Sequence, residues 1–278
     1  MPGWTEVADG VLQRRYQPWD VNVCVVRGAD GLLVVDTRAT PRQGAQLRDD
    51  LRELGDRPVR WVVNTHAHFD HTFGNQVFAP PPDGPDLYGH ALVPDHFGRY
   101  ERPMLEQWLA DGEEPADELA EVVLTPPRVL VTDRHDLDVG GLAVVLVHLG
   151  RGHTDNDLLL HVPAAGAWLV GDVVEESGPP MYGTGSFPLE WPATVRALVQ
   201  QLADDDVVVP GHGRPADARF AATQAQALQQ VSDLLVELHA AGVPVESAYD
   251  EGGDRWPFPR EALGTAAQEA YAALDAPH

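Results

Sequence analysis

The chain has 278 residues, 44% of them apolar and 22% charged, a balance that fits a soluble globular chain and excludes a disordered or fibrous one. Its formal net charge is −24, and all 19 basic residues are arginine. Such a surface repels phosphate backbones and anionic lipid, so the expected partner is a small-molecule substrate, not nucleic acid or membrane. Without lysine, Schiff-base chemistry and an ammonium base are also excluded.

The single cysteine, Cys24, sits in the apolar run Val23–Val26 and reads as a small buried hydrophobe. The opening residues MPGWTEVADG show neither a basic n-region nor an apolar h-region, and no apolar run approaches the roughly 18 residues that span a bilayer. A cytoplasmic protein is therefore expected. Nothing in the pattern speaks to oligomeric state.

In chain order, residues 21–27 and 32–35 read as strands joined by the turn 28–31. Leu47, Leu51 and Leu54 recur at helical spacing in 41–54, with Pro41 suited to the first turn. A strand at 59–64 runs into a histidine-rich loop, with a helix expected at 71–77. After the Pro-rich loop 79–86 come a short strand at 86–89 and an acidic helical stretch, 91–121. Strands follow at 128–131, 136–139 and 142–148, the last two forming a hairpin over Gly140-Gly141, and then at 157–162 and 167–171. The loop 177–190 precedes a helix at 191–203, a strand at 206–209 and closing helices at 216–241 and 260–274. No low-complexity linker divides the chain, so one domain over 1–278 is expected, with C-terminal helices at about 216–274.

The stretch THAHFDHTFGN, residues 65–75, carries the chemistry. Alternate side chains of an extended segment share a face, so His66 and His68 can grip one ion. Asp70 and His71 lie where the chain turns into a helix and diverge from that pair, which suits a second ion. Imidazole and carboxylate without thiolate suit zinc, iron or manganese. Further ligands are expected where other strands end, because a sheet edge holds loops rigidly. Three such ends carry a metal-binding residue beside glycine: Gly152-His153, Gly171-Asp172 and Gly211-His212-Gly213.

THAHFDH, GRGHTDND, GDVVEE and VPGHG, in that order, resemble the successive metal motifs of the metallo-β-lactamase-fold hydrolase superfamily. LLVVDT at 32–37 is similar to the family's first motif, and the likeness covers about residues 20–215. The resemblance implies an α/β fold, a four-layered αββα sandwich with the site at one edge of its two sheets. It implies that His66, His68 and His153 bind a first metal, that Asp70, His71 and His212 bind a second, and that Asp172 bridges them. Asp36 would brace the ligand loop through hydrogen bonds. An aspartate at 172 is more similar to the Asp-bridged glyoxalase II-like and lactonase-like branch than to lactamase branches with cysteine there.

Two divalent ions about 3.5–4 Å apart, most readily zinc, with iron or manganese as alternatives, would share a water and lower its pKa from 15.7 towards ~7. The hydroxide would attack the carbonyl of a small ester, thioester, lactone or β-lactam, with Asp70 also orienting the nucleophile. Similar folds house mononuclear iron oxygenases of the persulfide dioxygenase type, which is the alternative reading. A nuclease is disfavoured by the acidic surface, and a metal-braced binding module by the complete ligand set.

Around the site, Met181, Tyr182 and Phe187 in loop 177–190 are candidate substrate contacts, and Arg151 is a candidate for a substrate carboxylate. Met104 and Trp108 mark segment 91–121 as a lid or a covering helix. His90, His96, His135, His148, His161, His239 and His278 lack a ligand-like context; of these, His90, which follows soon after the first motif, is a candidate to border the pocket, and His148 reads as core or outer-shell packing.

Overall fold

Strand polarity explains the layers. In β3 (Val21–Arg27), Val23 and Val25 face one way, Cys24 and Val26 the other, and all four are buried. A strand buried on both faces must be covered by two different layers. A computed structural model of the chain describes residues 3–78, 84–113, 115–183 and 185–276. Residues 79–83 of the expected Pro-rich loop 79–86, and His278, lie outside the described residues.

The first sheet contains β1 (Thr5–Ala8), β2 (Val11–Tyr16), β3, β4 (Leu32–Val35), β5 (Val59–Val63), β6 (Asp86–His90) and β7 (Val129–Val131), in that spatial order. The strands are antiparallel from β1 to β4 and parallel from β4 to β7. Its parallel steps are bridged by helices: α1 (Pro41–Asp50), then α2 (Phe69–Thr72) with α3 (Asn75–Phe78), then α4 (Val93–His96), α5 (Arg102–Asp111) and α6 (Ala116–Leu119). The second sheet runs β12 (Val207–Pro210), β11 (Ala167–Gly171), β10 (Leu159–Val162), β9 (Leu142–Val147) and β8 (Arg134–Val139). α7 (Trp191–Val199), α8 (Ala218–Ala240), α9 (Ala248–Gly252) and α10 (Ala266–Asp275) complete the chain.

Between the sheets, Cys24, Val26, Leu33, Val35 and Val63 meet Val144, Leu146, Leu160, Leu169 and Val209. The outer face of the first sheet, with Val23, Val25, Leu32, Val34 and Val62, packs on Leu47 and Leu51 of the α1 segment. The outer face of the second, with Leu159, Trp168 and Val170, packs on Val195, Leu198, Leu228, Val231 and Leu235. The result is the αββα sandwich that the motifs imply. No helix among the described residues is long and apolar enough to cross a membrane.

Several boundaries differ from the sequence expectation for local reasons. β1 and β2 extend the sheet before residue 21, because Gln13 and Arg14, polar in pattern, are buried with partners: Gln13 donates to the Gly213 carbonyl and Arg14 reaches Asp50 and Glu53. The helix expected at 71–77 is two short helices broken at Gly74, where a Cβ would lie 2.0 Å from the Thr37 carbonyl oxygen. Among its described residues, segment 91–121 is helical in α4, a π turn at Phe97–Glu101, α5 and α6, and the closing stretch 260–274 begins with a 3₁₀ turn before α10. The strand expected at 157–162 starts at Leu159, because Asp157 turns its carboxylate back to the Thr154 N–H and hydroxyl.

Candidate metal centre

Five strand ends deliver the polar cluster to one edge of the sandwich. β5 leads into His66 and His68, and α2 carries Asp70 and His71. The loops after β9, β11 and β12 present His153, Asp172 and His212. Asp36, just past β4, adopts φ 67°, a left-handed conformation that aspartate tolerates better than most residues. Its carboxylate accepts the Thr65 N–H and hydroxyl at 2.8 Å each, and pairs with His71 Nδ1 at 2.8 Å.

These outer contacts select the nitrogens that face inward. His71 gives its Nδ1–H to Asp36, and His212 gives its own to the Trp19 carbonyl at 2.8 Å. The Thr65 hydroxyl, already donating to Asp36, is left to accept from His66 Nδ1 at 3.1 Å. All three histidines therefore turn Nε2 towards the cluster. His68 is the exception, with Nδ1 lying 3.1 Å from His66 Nε2 and 2.8 Å from His153 Nε2.

Two triads result. The inward nitrogens of His66, His68 and His153 lie within 4.8 Å of one another, as do the donor atoms of Asp70, His71 and His212. Asp172 stands between them, with Oδ2 at 3.8 Å from His66, 3.5 Å from His153 and 3.4 Å from His212, and Oδ1 at 3.3 Å from His71. A Cβ on Gly211 would sit 1.8 Å from Asp172 Oδ1, so a glycine is required where β12 passes this carboxylate.

The electrostatics split along the same line. Burial, reinforced by neighbouring histidines, pulls His66 well below its ordinary value and His153 down to about 3, and burial also lowers His68. In the second triad burial acts in the same direction but is outweighed. Asp70, Asp172 and Asp36 hold His71 well above the ordinary value, and Asp172 with Asp70 pushes His212 up to about 12. Burial raises both carboxylates, yet His71 and His212 bring Asp70 below its usual range and, with His66, take Asp172 well below.

The residues fit a pair of cations. His68 Nδ1 lies 2.8–3.1 Å from both His66 Nε2 and His153 Nε2, and one ring proton can satisfy only one of those two contacts, so converging lone pairs remain that a cation would take up. Asp172 Oδ1 is buried without a hydrogen-bond partner, an expensive state for a carboxylate oxygen unless it coordinates. The donor set of five imidazoles and two carboxylates suits a borderline or hard divalent metal.

The expected substrate contacts fare unevenly. Met181 is 67% exposed, and Phe187 is half-buried beside the ligand loop, its N–H bonded to the Gly152 carbonyl at 2.8 Å. Tyr182 is a correction to the pocket-wall expectation: it is 2% exposed, packed edge-on against Trp191 in the helical layer, because the chain folds inward there under Gly264. Arg151 stacks on Phe187 and binds Glu190 at 2.9 Å, so its charge is engaged within the chain. Met104 and Trp108 face Phe69 and Phe73, which makes α5 a covering helix. His90 pairs with His148 and the Thr132 carbonyl, away from both triads.

Other contributors had weak sequence signals. Trp19, 45% exposed, supports His212 through its backbone and lines up edge-to-face with Phe69, which in turn meets Trp108. Asn22 braces the PGHG turn by donating to the Pro210 and Gly213 carbonyls. Asp157 ties down the His153 loop and is pushed up to about 7 by burial, against the hydrogen bonds from Thr154. Only Asp157, inside the DND run, had a motif to mark it.

An αββα sandwich with histidines and aspartates gathered at one sheet edge defines a class of metal-dependent enzymes. The chain belongs to the Metallo-beta-lactamase superfamily, whose sequence profile matches residues 16–212. It is 26% identical over 211 residues to the 2,4-dinitroanisole O-demethylase subunit alpha of Nocardioides sp. (strain JS1661), covering 75% of this chain and 54% of that one. It is 22% identical over 246 residues to a linear primary-alkylsulfatase of Pseudomonas sp. (strain ATCC 19151), covering 77% of this chain and 45% of the relative. The chain thus spans about half the length of these relatives. Among solved structures, the sec-alkylsulfatase Pisa1 from Pseudomonas sp. superimposes with a TM-score of 0.78 at 16% identity, over 98% of this chain and 50% of that one.

Proposed function

We propose that the chain is a metal-dependent hydrolase with a dinuclear centre, most readily zinc, acting on a small ester, thioester, lactone or β-lactam. The observation that carries the reading is the position of Asp172, within 3.3–3.8 Å of histidines from both triads and with one oxygen otherwise unsatisfied. Superfamily membership supports metal-dependent hydrolysis in general. The formal charge of −24 favours a small substrate over nucleic acid or membrane. A cytoplasmic location belongs to the same proposal, in keeping with a lone buried cysteine.

His66, His68 and His153 would hold one ion, Asp70, His71 and His212 the other, and Asp172 both. When bound, the pair polarises the substrate and lowers the pKa of water towards ~7. The chain's own groups then position and protect. Asp70, 3.2 Å from His212 Nε2, has its second oxygen free to accept a hydrogen bond from the attacking water and set its direction. Asp36, Thr65 and the Trp19 carbonyl keep the histidine rings oriented, so no reorganisation accompanies reaction. Trp19, Phe69 and Trp108 form an apolar row beside Asp70 that suits a substrate with an apolar arm.

The test is a panel of chromogenic esters, thioesters, lactones and β-lactams on zinc-, iron- and manganese-loaded protein. Alkyl sulfates and an aryl methyl ether are included because two relatives carry those names. Asp70→Ala and His153→Ala should each lose hydrolysis, by roughly 10²-fold or more, together with stoichiometric metal binding. Full activity in metal-stripped protein would refute the reading, and one iron per chain with oxygen uptake would replace it by the oxygenase alternative.

A further inference from the structure

Beside His68 of the first triad lies a buried polar pair, His96 and Glu101, that the catalytic reading does not use. The helix from Val93 to Asp111 is interrupted by a π turn, Phe97–Glu101, in which the Arg102 N–H reaches the Phe97 carbonyl. Pro103 explains the interruption, since it has no N–H to give and its ring crowds the carbonyl four residues back. At 3.6 residues per turn, positions five apart diverge by about 140°, and a widened turn reduces that divergence. His96 and Glu101 thereby share the inward face, at 1% and 2% exposure.

Both are poised towards His68. The donor atoms of His68, His96 and Glu101 lie within 4.8 Å of one another, with Glu101 beyond direct hydrogen-bond reach of His68 and at a separation that one water spans. His68 directs Nδ1 into the first triad, which leaves Nε2 as the nitrogen available to this pair. Glu101 Oε2 is buried and has no hydrogen-bond partner, and neither has His96 Nε2, which stands 3.6 Å from Glu101 Oε1. On its other edge His96 meets Asn156 at 3.1 Å and Asp155 at 3.5 Å, both in the loop that carries His153. One cluster thus touches both loops that supply the first triad.

We propose that Glu101 is the positioning residue of His68, accepting its Nε2–H through one bridging water so that Nδ1 is presented to the metal, with His96 holding Glu101 against the His153 loop. A histidine ligand commonly gives its other N–H to a carboxylate, which fixes the tautomer and raises its basicity. His71 gives its other N–H to a carboxylate, His66 to the Thr65 hydroxyl and His212 to the Trp19 carbonyl, and Glu101 would be the corresponding partner for His68. The inference rests on the triads being metal sites, but its test does not rest on hydrolysis.

The experiment compares full-length wild type, Glu101→Ala, Glu101→Gln and His96→Ala. Zinc affinity is measured by competition with a chromophoric chelator, cobalt-loaded protein by its visible spectrum, and folding by circular dichroism and Tm. Glu101→Ala should weaken the site containing His68 by about 10–100-fold and alter the cobalt bands. Glu101→Gln, which keeps an acceptor oxygen, should restore most of the affinity, and His96→Ala should fall between. Unchanged affinity and spectrum in Glu101→Ala would overturn the proposal. So would a loss of Tm in which the folded fraction binds cobalt as the wild type does. Wild-type protein that binds no metal would instead remove the underlying reading.

Discussion

Loading the metal-free chain with zinc at pH 7 is expected to expel about two protons from protein groups, both from the second triad. His71 is held well above its ordinary value by Asp70, Asp172 and Asp36 despite burial, and His212 is pushed up to about 12 by Asp172 and Asp70, so both are imidazolium before loading. Each must surrender its Nε2 proton to ligate. His66, His68 and His153 are shifted down, so they are already neutral and contribute none. Two competing protons make the apparent affinity of the second triad rise by about a hundredfold per pH unit above neutrality, or about 2.7 kcal/mol.

The sign for the metal-free fold is opposite. A raised histidine contributes stability that is complete below its unfolded value near ~6.5 and disappears as pH climbs through the folded value. Metal-free protein should therefore lose Tm as pH is raised from 7, while zinc-loaded protein gains affinity. Calorimetric zinc titrations in two buffers of different protonation enthalpy count the protons. His212→Ala should reduce the count by about one, whatever ionisation the bound water adds. No proton release, with affinity independent of pH, would refute the assignment of charge to these two histidines.

Asp36→Asn keeps a left-handed-tolerant side chain but removes the charge behind His71, and zinc affinity should fall by about 10–100-fold by chelator competition with the fold retained. Wild-type affinity in that variant would show that the Asp36 carboxylate is dispensable. Gly211→Ala places a methyl on Asp172 Oδ1, so metal stoichiometry should drop below two per chain by elemental analysis while circular dichroism remains native. Two tightly held metals in Gly211→Ala would mean that Asp172 can move away without loss.

What could be read before folding was whatever repeats or clusters over a few residues. Leu47 and Leu51 at helical spacing and the doubly apolar runs of β3 to β5 marked helix and strand, because local backbone geometry sets those periods. THAHFDH announced a metal loop, because four donors crowd into six positions after a strand. β2 was hidden, since Gln13 and Arg14 carry no sign that Gly213, Asp50 and Glu53 will satisfy them. Tyr182 offered a pocket contact by its place in the chain and became core by its packing on Trp191.

The amino-acid order by itself carried the strand and helix periods, and the short metal motifs whose resemblance to a known family pointed to the superfamily and to the candidate ligands. Only the tertiary structure decided which nitrogen each histidine turns inward, that Trp19 lends His212 a carbonyl across 193 positions, and that a widened helical turn sets Glu101 behind His68. Such contacts depend on where two distant backbones happen to meet. No residue type or interval announces that meeting, because it results from packing the whole sandwich at once.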